Sequence, residues 1–209
     1  MKNQKFNLLF LIPVLFCGCL ATTNYYTART LPAGKMTISP GMDDLIIQST
    51  DKARIIKKPL YFLPSLGLYI GLPYRLEAGV RWYFTNTYEG ILRWQLNPKW
   101  FNKFYASANF HYGWFQESFQ YYKYGVTVSK PIGELEPYVG YYQFSRGEED
   151  RIVSVDFDDI LDTHRVISLG ISIPIRAGHV FPEINYQFSK YEFGSGLLFY
   201  SVGFRTKFP

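Results

Sequence analysis

From Gly34 onward, apolar and polar residues alternate with a period of two, in ten runs separated by turn-forming residues. That period belongs to a strand whose two faces meet different surroundings. In residues 60–72, Leu60, Phe62, Pro64, Leu66, Leu68, Ile70 and Leu72 alternate with Tyr61, Ser65, Gly67, Tyr69 and Gly71. The next run sets Leu76, Ala78, Val80, Trp82 and Phe84 against Glu77, Gly79, Arg81 and Tyr83. Comparable runs cover 88–96, 104–115, 122–129, 167–175, 180–189 and 198–205. The weakest are 35–44 and 135–143, the latter with Tyr on both faces. No helical period competes after Gly34. Most runs reach the roughly 9–11 residues that cross a bilayer at the tilt of a barrel. The expectation is an all-β fold, a ten-stranded antiparallel up-and-down transmembrane β-barrel.

The connections fall into two sets. Odd-numbered connections occupy 47–58, 85–87, 116–118, 146–163 and 194–195, whereas the even-numbered ones centre on 73, 97–103, 131–134 and 176–179. The two longest share one set, so long loops lie at one end and short turns at the other, the pattern of an outer-membrane barrel. The apolar face carries Trp82, Phe84, Phe104, Trp114, Phe188 and Phe204 near the ends of runs, where an interfacial girdle would sit. The polar face is rich in Gly, Ser, Asn and Tyr and sparse in charge, unlike an ordinary wetted surface. The apolar face is therefore expected outward. The competing arrangement is a lipid-anchored periplasmic barrel of lipocalin type, its apolar face turned inward around a ligand.

Aromatic residues make up 19% of the chain and charged residues another 19%, below the usual charged share of about 25%. So much apolar surface excludes disorder. Cys17 and Cys19 are the only cysteines, which leaves no disulfide framework or zinc cluster. Lys2 and Lys5 precede an apolar stretch over 6–16, the layout of a secretory signal. Leu15-Phe16-Cys17-Gly18-Cys19 resembles the bacterial lipobox, which implies cleavage before Cys19 and lipidation of that cysteine. The competing cut lies after Ala21. Loss of Lys2 and Lys5 takes the net charge from +5 to +3, too small an excess for a nucleic-acid footprint. The expected organisation is a signal peptide (1–18), a periplasmic lead-in anchored at Cys19 (19–33) and the barrel (34–209).

Ser201-Val202-Gly203-Phe204-Arg205-Thr206-Lys207-Phe208 resembles the C-terminal signal read by the barrel-assembly machinery, which would make that machinery a partner in biogenesis. Residues 26–35 look like the lead-in of uncharacterised barrel lipoproteins. At the level of pattern the chain resembles small bacterial outer-membrane barrel proteins. This resemblance implies outer-membrane lipid and lipopolysaccharide as surroundings.

On this reading the lumen receives Lys35, Glu77, Arg81, Glu89, Arg93, Lys123, Glu136, Glu183 and Arg205. Charges so confined are expected to pair, with tyrosines adding bulk. The outcome is a plugged barrel of structural or surface type, or a narrow channel lined by those charges. Glu148, Glu149, Asp150, Asp156, Asp158, Asp159 and Asp162 share one outer loop, where carboxylates would suit divalent cations bridging lipopolysaccharide. A solvated loop tip is the simpler reading.

Asp162-Thr163-His164 is similar to the Asp-x-His pair of omptin proteases, in which a carboxylate orients an imidazole that activates water. Asp43-Asp44 lacks the spacing of the second pair those enzymes need. No phosphate loop, nucleophile elbow or metal-ligand cluster appears in the sequence, and no cofactor is implied. A non-enzyme is expected, with an outer-membrane hydrolase as the remaining alternative.

Overall fold

The computed structural model describes residues 24–49, 63–84, 87–96, 103–115, 119–146, 164–189 and 196–206. Ten strands appear among them: β1 (Met36–Ser49), β2 (Leu63–Leu72), β3 (Leu76–Tyr83), β4 (Thr87–Leu96) and β5 (Tyr105–Phe115), then β6 (Phe119–Ser129), β7 (Glu136–Arg146), β8 (His164–Ile175), β9 (Gly178–Ser189) and β10 (Gly196–Thr206). Each strand pairs antiparallel with its neighbours in sequence, and β1 also pairs with β10, closing the barrel. Closure leaves no unpaired edge. A single 3₁₀ turn, Pro73–Arg75, joins β2 to β3, and residues 176–177 alone separate β8 from β9.

Alternation decides the faces. Leu68, Val80 and Leu169 point outward and are 43%, 57% and 51% exposed, while Arg81 and Glu183 point inward at 1% and 2%. The interior is polar and charged, not the apolar hollow of a lipocalin-type barrel. In β7, where tyrosine stood on both faces, the even positions Glu136, Tyr138, Tyr142 and Phe144 turn inward and Val139 and Tyr141 outward.

Outward aromatics stand at mid-strand, as Phe110, Tyr124, Tyr141 and Tyr200 do, and also pack together toward the strand ends. Trp82 packs on Phe84 with ring centroids 4.4 Å apart, Tyr88 on Trp114 at 5.6 Å and Tyr112 on Tyr122 at 5.2 Å, all toward the odd-numbered connections. Trp94 and Phe104 stand exposed at the opposite end.

Two expectations need correction. Lys35 was expected in the lumen, but its side chain is exposed. Because β1 starts at Met36, position 35 keeps the inward parity yet lies past the end of the wall. The lead-in was expected outside the barrel. Asn24, Tyr25, Tyr26, Thr27 and Ala28 are instead buried within it, because the inward face is built largely of small residues and leaves a volume that close packing must fill.

Candidate functional site

Strand register builds the first part of the lumen. The β3–β4 ladder sets Glu77 opposite Arg93 and Arg81 opposite Glu89, two cross-strand pairs of opposite charge. Glu77 holds both Arg93 Nη1, at 2.7 Å, and Arg205 Nη2, at 2.9 Å. Glu89 lies 3.0 Å from His111 Nδ1, 3.8 Å from Lys123 Nζ and 4.0 Å from Arg81 Nη1. The Tyr83 hydroxyl also donates to Glu89 at 3.1 Å. These groups are buried, where ionic groups need partners and further hydrogen bonds.

The second part is the inner segment, residues 24–31. The Gly34 amide donates to the Gly71 carbonyl at 2.9 Å, and the Thr30 hydroxyl to the Arg75 carbonyl at 3.2 Å, so the segment enters beside the Pro73–Arg75 turn. Arg29 reaches Glu136 at the start of β7. Deeper in, the Tyr26 hydroxyl is 2.6 Å from His111 Nε2, and Asn24 Nδ2 donates to Ser168 Oγ at 3.0 Å. Followed back from Leu31 to Asn24, the chain therefore runs from the short-turn end toward the odd-numbered connections.

The wall reads the main chain of this segment with side chains. Amides of Asn24 and Tyr25 donate to Glu183 at 3.0 and 3.3 Å, that of Ala28 to Ser129 Oγ at 3.1 Å, that of Thr30 to Gln95 at 2.9 Å and that of Leu31 to Glu77 at 2.8 Å. Arg81 donates to the Asn24 carbonyl at 2.9 Å with its guanidinium 5.2 Å from the centre of the Tyr25 ring. Arg93 donates to the Thr27 carbonyl and stands 3.8 Å from the Tyr26 ring. Each arginine thus combines a hydrogen bond to a carbonyl with a cation–π contact to a tyrosine.

Glu183 and Tyr25 explain the local shape. Tyr25 has φ 53°, a left-handed conformation rare for a bulky residue. Successive amides in such a turn converge on an anion, here the Glu183 carboxylate. Tyr138 also donates to Glu183 at 2.7 Å. Gly41 and Gly203 are register partners, and the Tyr25 ring lies against both. A Cβ on Gly41 would come within 2.4 Å of the ring, and one on Gly203 within 2.2 Å.

The structure thus places Glu77, Arg81, Glu89, Arg93, Lys123, Glu136, Glu183 and Arg205 on the inner wall. Cys19 and the acidic residues Glu148, Glu149, Asp150, Asp156, Asp158, Asp159 and Asp162 lie outside the described residues. Among the described residues, no group of three or more His, Cys, Asp or Glu side chains is arranged to hold a metal ion. Sequence reasoning missed residues 24–28 and Arg29. One signal was present: Ser39, Gly41, Ser65, Gly67, Ser107, Ser168, Ser201 and Gly203 all take inward positions and cannot fill a ten-stranded barrel alone.

Fold and interior together define a class: a closed, ten-stranded antiparallel barrel with an apolar exterior, a charged interior and its own N-terminal segment inside. No family model matches the chain, and no curated protein matches it. Among solved structures it is similar to one described as "De novo design of transmembrane beta-barrels", at 11% identity and a TM-score of 0.36, covering 85% of this chain and 99% of that one.

Proposed function

We propose that this chain is an outer-membrane β-barrel of structural or surface type, plugged by its own residues 24–31. The observation that carries this reading is the burial of Asn24, Tyr25, Tyr26, Thr27 and Ala28 among the lumen charges, inside a wall whose exposed face is apolar. Exposed apolar side chains along the strands, such as Val80, Leu169 and Val202, with Phe84, Trp94, Phe104 and Trp114 near strand ends, suit a hydrocarbon layer between two interfaces. The surroundings are outer-membrane lipid and lipopolysaccharide, the assembly partner is the barrel machinery, and no catalytic role is assigned.

In the same proposal residues 1–18 are removed and Cys19 is acylated. Loss of acyl labelling in Cys19→Ala tests the modification.

Planar-bilayer recording of the refolded full chain tests the plug. The unaltered protein is expected to stay closed, and the Tyr25→Ala/Tyr26→Ala variant to show a steady conducting level, which also reports insertion. A steady open level from the unaltered chain contradicts the proposal.

A further inference from the structure

The wall closes on itself through backbone pairing of β1 with β2 and β10, and none of its ladders includes residues 24–31. The segment is instead held by wall side chains that grip main-chain groups, while pockets in the wall receive its side chains, the division by which backbone contacts supply affinity and pockets supply selectivity in peptide recognition. We propose that the lumen is a sequence-selective peptide-binding site for a Tyr-Tyr-Thr-Ala-Arg segment, and that residues 24–31 occupy it as an exchangeable ligand. This inference rests on the plug reading and goes further, since a fixed plug need not be separable.

Selectivity has a basis at four positions. Tyr25 fills the notch left by the paired Gly41 and Gly203, where a wall Cβ would collide with it. Tyr26 is flanked by the Arg93 guanidinium and by His111, to which its hydroxyl is hydrogen-bonded. Ala28 is fully buried, so a larger side chain there meets the wall. Arg29 completes Glu136, which Ser129 also contacts at 2.7 Å. The joint between ligand and wall is the exposed stretch Pro32, Ala33 and Gly34. Gly34 turns at φ 79° with open space around it, so a cut there leaves the gripping contacts of residues 24–31 in place.

The test uses the full chain refolded in detergent, with a protease site inserted after Ala33. After cleavage, a fluorescent synthetic peptide of residues 24–34 is expected to exchange into the barrel saturably. A peptide with alanine at both tyrosine positions should compete roughly tenfold or more weakly, equivalent to about 1.4 kcal/mol. No exchange in a cut barrel that keeps its heat-modifiable gel migration overturns the inference, as does equal competition by a scrambled peptide. Should cleavage unfold the barrel, the uncut Tyr25→Ala/Tyr26→Ala chain serves instead. It is expected to bind the labelled wild-type peptide while the unaltered chain does not, and failure of the variant to bind overturns the inference. Bilayer recording keeps the two proposals apart: an open unaltered chain defeats the plug itself, whereas a closed one with unselective exchange defeats only the peptide site.

Discussion

Two buried carboxylates in one lumen are satisfied in opposite ways. Glu89 is surrounded by the wall's own basic side chains, Arg81, His111 and Lys123, on β3, β5 and β6. Glu183, on β9, is met by neutral donors, the Tyr138 hydroxyl and the amides of Asn24 and Tyr25. A carboxylate withdrawn from water needs compensation from charge or from several hydrogen bonds. Around Glu89 the wall supplies it; around Glu183 the wall's Tyr138 is joined by two amides of the inner segment. The charge on Glu89 is thus balanced by wall residues alone, whereas the hydrogen bonds to Glu183 are completed by a piece of chain that enters the lumen.

Substitutions can break or sharpen this contrast. The largest effect is expected from Glu89→Gln, which leaves Arg81 and Lys123 buried without their carboxylate. Breaking a buried ionic cluster of this kind costs about 3–5 kcal/mol, measured by urea unfolding of the barrel in lipid vesicles. Removing residues 24–30 should leave that penalty nearly unchanged. Glu183→Gln is expected to cost less, about 1.5–3 kcal/mol, the worth of hydrogen bonds to a charged group. Here deletion of residues 24–30 should reverse the sign, because the substitution then relieves a buried carboxylate that has lost two donors. Equal responses of the two sites to the deletion would erase the contrast.

Gly203→Ala probes the steric side of the same dependence. Its Cβ would meet the Tyr25 ring, and overpacking of this kind typically costs about 1–3 kcal/mol. The penalty should fall in a Tyr25→Ala background. Arg29→Ala should be smallest, below about 1 kcal/mol, because the Arg29 side chain is 48% exposed even though it pairs with Glu136.

The wall was legible because alternation is a geometric signal. Residues two apart share a face, so Leu68 and Ile70, or Glu77 and Arg81, declare their side without any knowledge of the partner strand. Opposite charges at Glu77 and Arg93, or Arg81 and Glu89, then fit the register that a short β3–β4 connection imposes. Tyrosine blurs this signal in β7, since it serves equally as lumen bulk at Tyr138 and as an outward aromatic at Tyr141. Lys35 illustrates a different limit, because parity says which way a side chain points but not where the wall ends.

The inner segment was not legible because it belongs to no ladder. Its conformation is set by groups distant in sequence: Glu183 is 159 residues from Asn24 and Ser168 is 144. Asn24-Tyr25-Tyr26-Thr27 carries neither strand nor helix period, and it reads as a linker until the lumen's small residues are counted against the space they must fill.

Backbone hydrogen exchange of the full chain in lipid bilayers tests the central claim most directly, that the N-terminal segment sits inside the closed barrel. Amides of Tyr25, Ala28 and Leu31, each donating to a lumen side chain, should exchange about as slowly as the paired amides of β3. Exchange of those three at free-linker rates, with β3 still protected, would contradict the account.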